Sequence, residues 1–181
     1  GVAPFFLFAF LFLVLPSAGQ VKFRGSYLTG GGGTIEPILT VNIDILSFST
    51  PEEITQLVKA FNEQGEAGFH QVFRSMKKGS LRVTSGRGMN IEFHSAREFP
   101  SDKGTKIELI AENTRFELGA MQRPFSGLMF LVAILEIDAK GKGEAKIYED
   151  ATCRILPTGE LVLDEHTRAP KIITGLTQVK K

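Results

Sequence analysis

Downstream of residue 20, the longest apolar run of the chain extends from Gly127 to Ile137. Leu128, Phe130, Val132 and Ile134 occupy one parity of this run, and Met129, Leu131, Ala133, Leu135 and Ile137 occupy the other. A strand covered on both faces has this pattern, although a short buried helix can share it. The next residues favour the strand. Asp138-Ala139-Lys140-Gly141-Lys142-Gly143 supplies glycine where a tight turn needs positive φ, and the chain then alternates. Ala145, Ile147, Ala151, Cys153 and Ile155 fall on one side, and Lys146, Tyr148, Asp150, Thr152 and Arg154 on the other. The stretch from Phe125 to Leu156 therefore predicts a long β-hairpin, its first strand buried on both faces and its second on one.

The same patterning organises the upstream chain. Val21 to Leu28 alternates weakly and reads as a first strand. Ile35 to Phe48 is clearer: Ile35, Leu39, Val41, Ile43 and Ile45 share one face, and Glu36, Thr40, Asn42 and Asp44 the other. Pro37 has no N–H to donate, which places its end of that strand on an edge or at a bulge. Thr50-Pro51-Glu52-Glu53 then combines a capping residue, proline at the first helical position and glutamate three residues after the cap. Ile54, Leu57, Val58 and Phe61 follow at helical spacing, Gly65 can close the helix, and Phe69, Val72, Phe73 and Met76 repeat the spacing before Gly79. These signals predict a helical hairpin over 51–78 whose apolar stripe covers the doubly apolar strand.

Short strands are expected at Leu81 to Val83, Met89 to His94, Thr105 to Glu112, Arg115 to Leu118, Glu160 to Leu163 and Lys171 to Val179. The turns between them are marked by Ser85-Gly86-Arg87-Gly88, Pro100-Ser101-Asp102-Lys103-Gly104 and Pro157-Thr158-Gly159. The expected fold class is α+β: a mostly antiparallel sheet of roughly eight to ten strands, curled into a barrel or folded as a sandwich, with one helical hairpin packed on it. No internal repeat or long linker divides residues 20–181, which read as a single domain.

Ahead of that domain, Val2 to Leu15 is an unbroken apolar run closed by Pro16-Ser17-Ala18-Gly19, the form of a secretory signal peptide with cleavage after Ala18 or Gly19. A transmembrane anchor fits less well, because fourteen helical residues reach only about 21 Å against a hydrocarbon core of roughly 30 Å. Residues 1–19 are thus expected to direct export, leaving a secreted or periplasmic domain with no stable membrane span. Gly1 is not Met and no basic region precedes the run, so further residues are expected upstream.

Charge narrows the partners. Twenty-one basic and 20 acidic side chains leave a formal net charge of +1, with no concentrated basic patch to attract nucleic acid or acidic membranes. Cys153 is the single cysteine, so no intrachain disulfide forms, and its apolar parity makes it a small buried hydrophobe rather than a reactive thiol.

Candidate chemistry is sparse. Gly30 to Gly33 lacks the following Gly-Lys-Ser/Thr of a phosphate loop and reads as a turn. Ser75-Met76-Lys77-Lys78 has Ser-x-x-Lys spacing without the companion motifs of acylating serine enzymes. His70, His94 and His166 are far apart, so no metal site is expected, and no cofactor motif occurs. The remaining acid–base candidates are His94, Glu92 and Asp44: Asn42 and Asp44 share one strand face, and Asn90, Glu92 and His94 share another. Were those strands neighbours, a carboxylate and an imidazole could meet; solvent-facing residues on a half-buried sheet are the simpler reading.

The order of motifs resembles a family of exported bacterial proteins with no established activity. The likeness rests on the Thr50-Pro51-Glu52-Glu53 helix start, Gly86-Arg87-Gly88, Pro124-Phe125 leading toward Gly141-Lys142-Gly143-Glu144, and Ile173-Thr174-Gly175-Leu176-Thr177-Gln178-Val179. The resemblance implies export and one compact domain, and assigns no functional residue. The functional expectation is an exported, non-enzymatic domain that binds an apolar small molecule or an envelope protein, with Phe93, Phe116, Phe125 and Phe130 lining a barrel interior or an exposed patch. One alternative is a small hydrolase using His94 with Glu92 or Asp44. Another is a structural envelope component that donates Lys171 to Val179 to a partner's sheet edge.

Overall fold

The computed structural model describes residues 20–28, 38–84, 90–112, 128–155, 161–166 and 169–180. They form ten strands and one helix: β1 (Val21–Leu28), β2 (Ile38–Ile45), α1 (Pro51–Ser75), β3 (Gly79–Val83), β4 (Asn90–Phe93), β5 (Ser95–Ser101), β6 (Gly104–Glu112), β7 (Leu128–Asp138), β8 (Lys142–Ile155), β9 (Leu161–His166) and β10 (Lys171–Gln178). Every ladder is antiparallel. The path runs β4-β3-β2-β1-β10-β8-β7-β6-β5, with β9 branching from β8.

The two ends of this path, β4 and β5, are joined in the chain by His94 alone. At that junction the Lys78 N–H donates to the Phe93 carbonyl and the His94 N–H to the Ile110 carbonyl, each at 2.8 Å. One strand-like segment thus passes from pairing beside β3 to pairing beside β6. The sheet curls until its ends meet through one residue, but no ladder between β4 and β5 closes it.

The doubly apolar reading of β7 holds. Leu131, Ala133, Leu135 and Ile137 belong to a core inside the curl with Phe23, Val41, Ile43, Leu109 and Leu176. Phe130 and Val132 face the other way, into a second core with Leu57, Phe69, Phe73 and Ile110. Covering this outer side of β7 is what α1 does. Phe130, Phe69 and Phe73 are fully buried, and at about 1.5–3 kcal/mol per buried large side chain their cluster is a main tie between helix and sheet. The rings of Phe69 and Phe73 stack at 5.3 Å, and both meet Phe130 edge-on.

The helical hairpin is corrected to a single kinked helix. Thr50 caps α1 and the reciprocal capping box with Glu53 is complete, as the sequence indicates. Gly65 does take a left-handed φ of 67°, but the helix resumes at once instead of ending in a loop, so Gly65 kinks α1 rather than terminating it.

The single buried face of β8 is also corrected. Val132 pairs with Tyr148 whereas Phe130 pairs with Ala151, so β8 carries one extra residue between them. This bulge reverses the parity: Ala145 and Ile147 face the inner core, and Ala151 and Cys153 face the helix-side core. Strict alternation across residues 145–155 cannot register such an insertion.

β5 is an additional strand that the sequence reading does not include, its last two residues, Pro100 and Ser101, falling in the expected turn; among the described residues it ends the sheet path and pairs only with β6, where proline is tolerated. The strand expected at 115–118 lies outside the described residues. β10 sits between β1 and β8, with ladders on both sides. Gly143 shows why glycine stands at the start of β8: a Cβ there would lie 1.8 Å from the Glu136 carbonyl oxygen.

Candidate functional site

Burial along β1 and β2 separates the two faces of the sheet. Phe23, Val41, Ile43 and Ile45 point into the curl, so Lys22, Arg24, Asn42 and Asp44 point outward. Register then aligns these outward residues into rows. One row runs Arg24–Asn42–Arg82–Asn90 across β1 to β4, and the next runs Lys22–Asp44–Ser80–Glu92. Asp44 and Glu92 therefore share a row two strands apart, with β3 between them.

Cations hold the first carboxylate. Lys22 Nζ lies 3.4 Å from Asp44 Oδ1 and Arg82 Nη2 lies 3.0 Å from Oδ2; the Asp44 side chain is 13 % exposed. Arg24 Nε donates to Asn42 Oδ1 at 3.1 Å. Glu92 is more open and has Lys77 at 3.8 Å. Two adjoining depressions of about 290 and 260 Å³ lie over these rows, and both are walled by Lys22, Asp44 and Arg82.

His94 is not part of this surface. Its Nδ1–H donates to the Met76 carbonyl at 2.8 Å, and its ring packs 5.2 Å from that of Phe73. The bend between β4 and β5 breaks the alternation that would have set His94 beside Glu92. Phe93 is fully buried in the inner core and Phe130 is fully buried in the helix-side core, so the two rings occupy different clusters. Phe116 and Phe125 lie outside the described residues.

Two arrangements escaped sequence reasoning. His70 on α1 has Nδ1 2.6 Å from Glu112 Oε1, and Arg74 Nε donates to Glu112 Oε2 at 2.5 Å. The Glu112 side chain is 9 % exposed, and the His70 ring rests on Phe69 and Phe130. His70 and Glu112 are 42 positions apart, so no local spacing announces the pair.

The second arrangement is apolar. Leu28 pairs with Ile38, and Tyr27 pairs with Ile173, so one step along the ladder sets Leu28 beside Ile172. Ile38, Leu28 and Ile172 are 64 %, 56 % and 45 % exposed and form an outward aliphatic row about 10 Å across three strands. A signal for it existed: Leu28 sits on the parity of Lys22 and Arg24, and Ile38 on that of Asn42 and Asp44, where polar residues belong.

Among the described residues, no group of three His, Cys, Asp or Glu side chains is placed to hold a metal ion, and no helix is long and apolar enough to cross a membrane. Comparisons with protein-family models, with curated proteins and with solved structures found no match.

Proposed function

We propose that this chain is an exported, non-enzymatic binding domain that takes an apolar small molecule, or the apolar surface of a protein partner, at the cell envelope. The observation that carries the reading is the outward row of Ile38, Leu28 and Ile172. Large aliphatics aligned on the wet parity of three adjacent strands contribute nothing to either core, and apolar surface of this kind marks binding sites. The apolar run from Val2 to Leu15 supports export.

Magnitude limits what the row does alone. Covering the exposed half of three such side chains contributes about 2–4 kcal/mol. That is at or below the roughly 4 kcal/mol of a millimolar complex, so further contacts must share in binding.

Native mass spectrometry of the domain recovered from its exported location tests the reading. Extra mass that disappears on denaturation, and is lost from a Leu28→Ser/Ile38→Ser/Ile172→Ser variant, supports it. A bare mass together with no partner crosslinked through the row contradicts it.

A second reading, a hydrolase with a His and carboxylate pair, is favoured by the His70 contact with Glu112. A carboxylate on Nδ1 leaves Nε2 able to accept a proton, the arrangement of an oriented general base. Hydrolysis of an ester series that His70→Gln abolishes while leaving the fold intact would support it; hydrolysis unchanged in that variant would remove it.

A further inference from the structure

We propose that the ligand of this face is an anionic amphiphile, its acidic head held by Arg24, Arg82 and Lys22 and its alkyl chain running along the strands to Leu28, Ile38 and Ile172. This inference rests on the apolar reading above and adds the chemistry of the head. The depression walled by Lys22, Arg24, Asn42, Asp44, Arg82, Thr84 and Val179 holds three cations against one carboxylate, a formal charge of +2. Asp44 occupies only part of that donor capacity. Arg82 meets it through Nη2 and Arg24 is engaged with Asn42 through Nε, so each guanidinium keeps further N–H donors for an anion. Arg24 and Arg82 flank Asn42 in one row, roughly 10 Å apart at two strand spacings, and a tetrahedral or planar oxyanion seated between them is reached from both sides.

The path to the aliphatic row has the right character. Leu28 lies four positions from Arg24, and Ile38 four from Asn42, which is about 13 Å along a strand. The positions between are Ser26 and Thr40, with Thr84 and Thr174 beside them. The Thr84 hydroxyl donates to the Thr40 carbonyl at 3.2 Å and the Thr174 hydroxyl to the Ser26 carbonyl at 3.5 Å. The Thr84 and Thr174 hydroxyls are thus occupied by the sheet, so an alkyl chain that crosses them strips neither of its water. The outer face thus runs from cations through small hydroxyl residues to bare aliphatics, the polarity profile of an anionic head with a medium alkyl tail.

Isothermal titration with three probes below micelle-forming concentration separates the parts: decyl phosphate, decyl maltoside and inorganic phosphate. Decyl phosphate should bind at least tenfold more tightly than either of the others, and the difference should shrink as salt rises. Arg24→Gln/Arg82→Gln should weaken decyl phosphate tenfold or more and leave decyl maltoside unchanged, while Leu28→Ser/Ile172→Ser should weaken both alkyl probes. All four positions reach solvent, so the variants are expected to keep the circular dichroism of the parent. Equal binding of the two alkyl probes would overturn the head-group assignment and leave the apolar reading standing. Inorganic phosphate binding as tightly as decyl phosphate would overturn the tail assignment and with it the apolar reading. Binding of no probe would overturn both.

Discussion

Lys78 Nζ lies 2.6 Å from Glu53 Oε2, which joins the residue before β3 to the first turn of α1. The lysine side chain is only 5 % exposed, and Glu53 also accepts the Thr50 backbone N–H in the capping box. One carboxylate therefore both caps the helix and neutralises a buried cation. Glu53→Ala should destabilise the fold by about 3 kcal/mol, because it strands a buried ammonium as well as opening the cap. Lys78→Met removes the charge that needed a partner and should cost less. The double variant Lys78→Met/Glu53→Ala should be more stable than Glu53→Ala, as read by chemical denaturation; a double variant no more stable than Glu53→Ala would show that the cap, not the buried charge, dominates.

The bulge in β8 makes a prediction that the plain alternating pattern reverses. Deleting Asp150 from a strand with one extra residue leaves Ala151 opposite Phe130 and Cys153 still turned to the helix-side core. The variant should fold cooperatively with Cys153 protected from a thiol reagent, as the 5 % exposure of that residue implies for the parent. Rapid labelling of Cys153 in the folded deletion variant would mean that the strand had flipped its faces instead.

Two glycines fail for different reasons when given a side chain. A Cβ on Gly143 meets the Glu136 carbonyl oxygen at 1.8 Å, so Gly143→Ala must push β7 and β8 apart and should cost at least about 3 kcal/mol. Gly65→Ala meets nothing within 4 Å and strains only the backbone at φ +67°, for about 1–3 kcal/mol. Thermal unfolding of both variants should rank them in that order.

Asp138 caps the turn between β7 and β8 by accepting the backbone N–H groups of Lys142 and Lys140, both at 2.8 Å. The Lys142 N–H above all holds its carboxyl below the ordinary aspartate value. A group lowered in the folded state is protonated first in the unfolded chain, so its stabilisation is present above the ordinary carboxylate range and fades as pH falls through the lowered folded value. The stability advantage of the parent over Asp138→Asn should therefore be seen at neutral pH and shrink in acid. An advantage that stays constant with pH would assign it to shape and not to charge.

What could be read from the sequence was what depends on near neighbours. β7 announced two covered faces because both parities of Leu128 to Leu135 are apolar, and Thr50 to Glu53 spelled out a helix start that the fold uses in full. The kink at Gly65 was half legible: glycine marks a positive φ, but whether a helix ends or resumes there is decided by the packing of Phe69 and Phe73 beyond it. The β8 bulge left no local trace, since an inserted residue is visible only against the partner strand. His94 illustrates the same limit. Its parity with Glu92 was correct on paper, and a one-residue bend between two ladders removed it from that face. The row of Ile38, Leu28 and Ile172 lay open as a violation of the polar parity in β1 and β2, but joining Ile172 to it required the β1 to β10 register, which spans most of the chain.

The outer face of β2, β1 and β10 is the surface through which this domain is proposed to bind. Two-dimensional amide NMR of the domain, titrated with decyl phosphate, locates that surface. Saturable shifts confined to the amides around Leu28, Ile38, Ile172, Arg24 and Arg82 are the predicted result. Shifts centred instead on inner-core residues such as Phe93 and Ala133, or no saturable shifts at all, would contradict it.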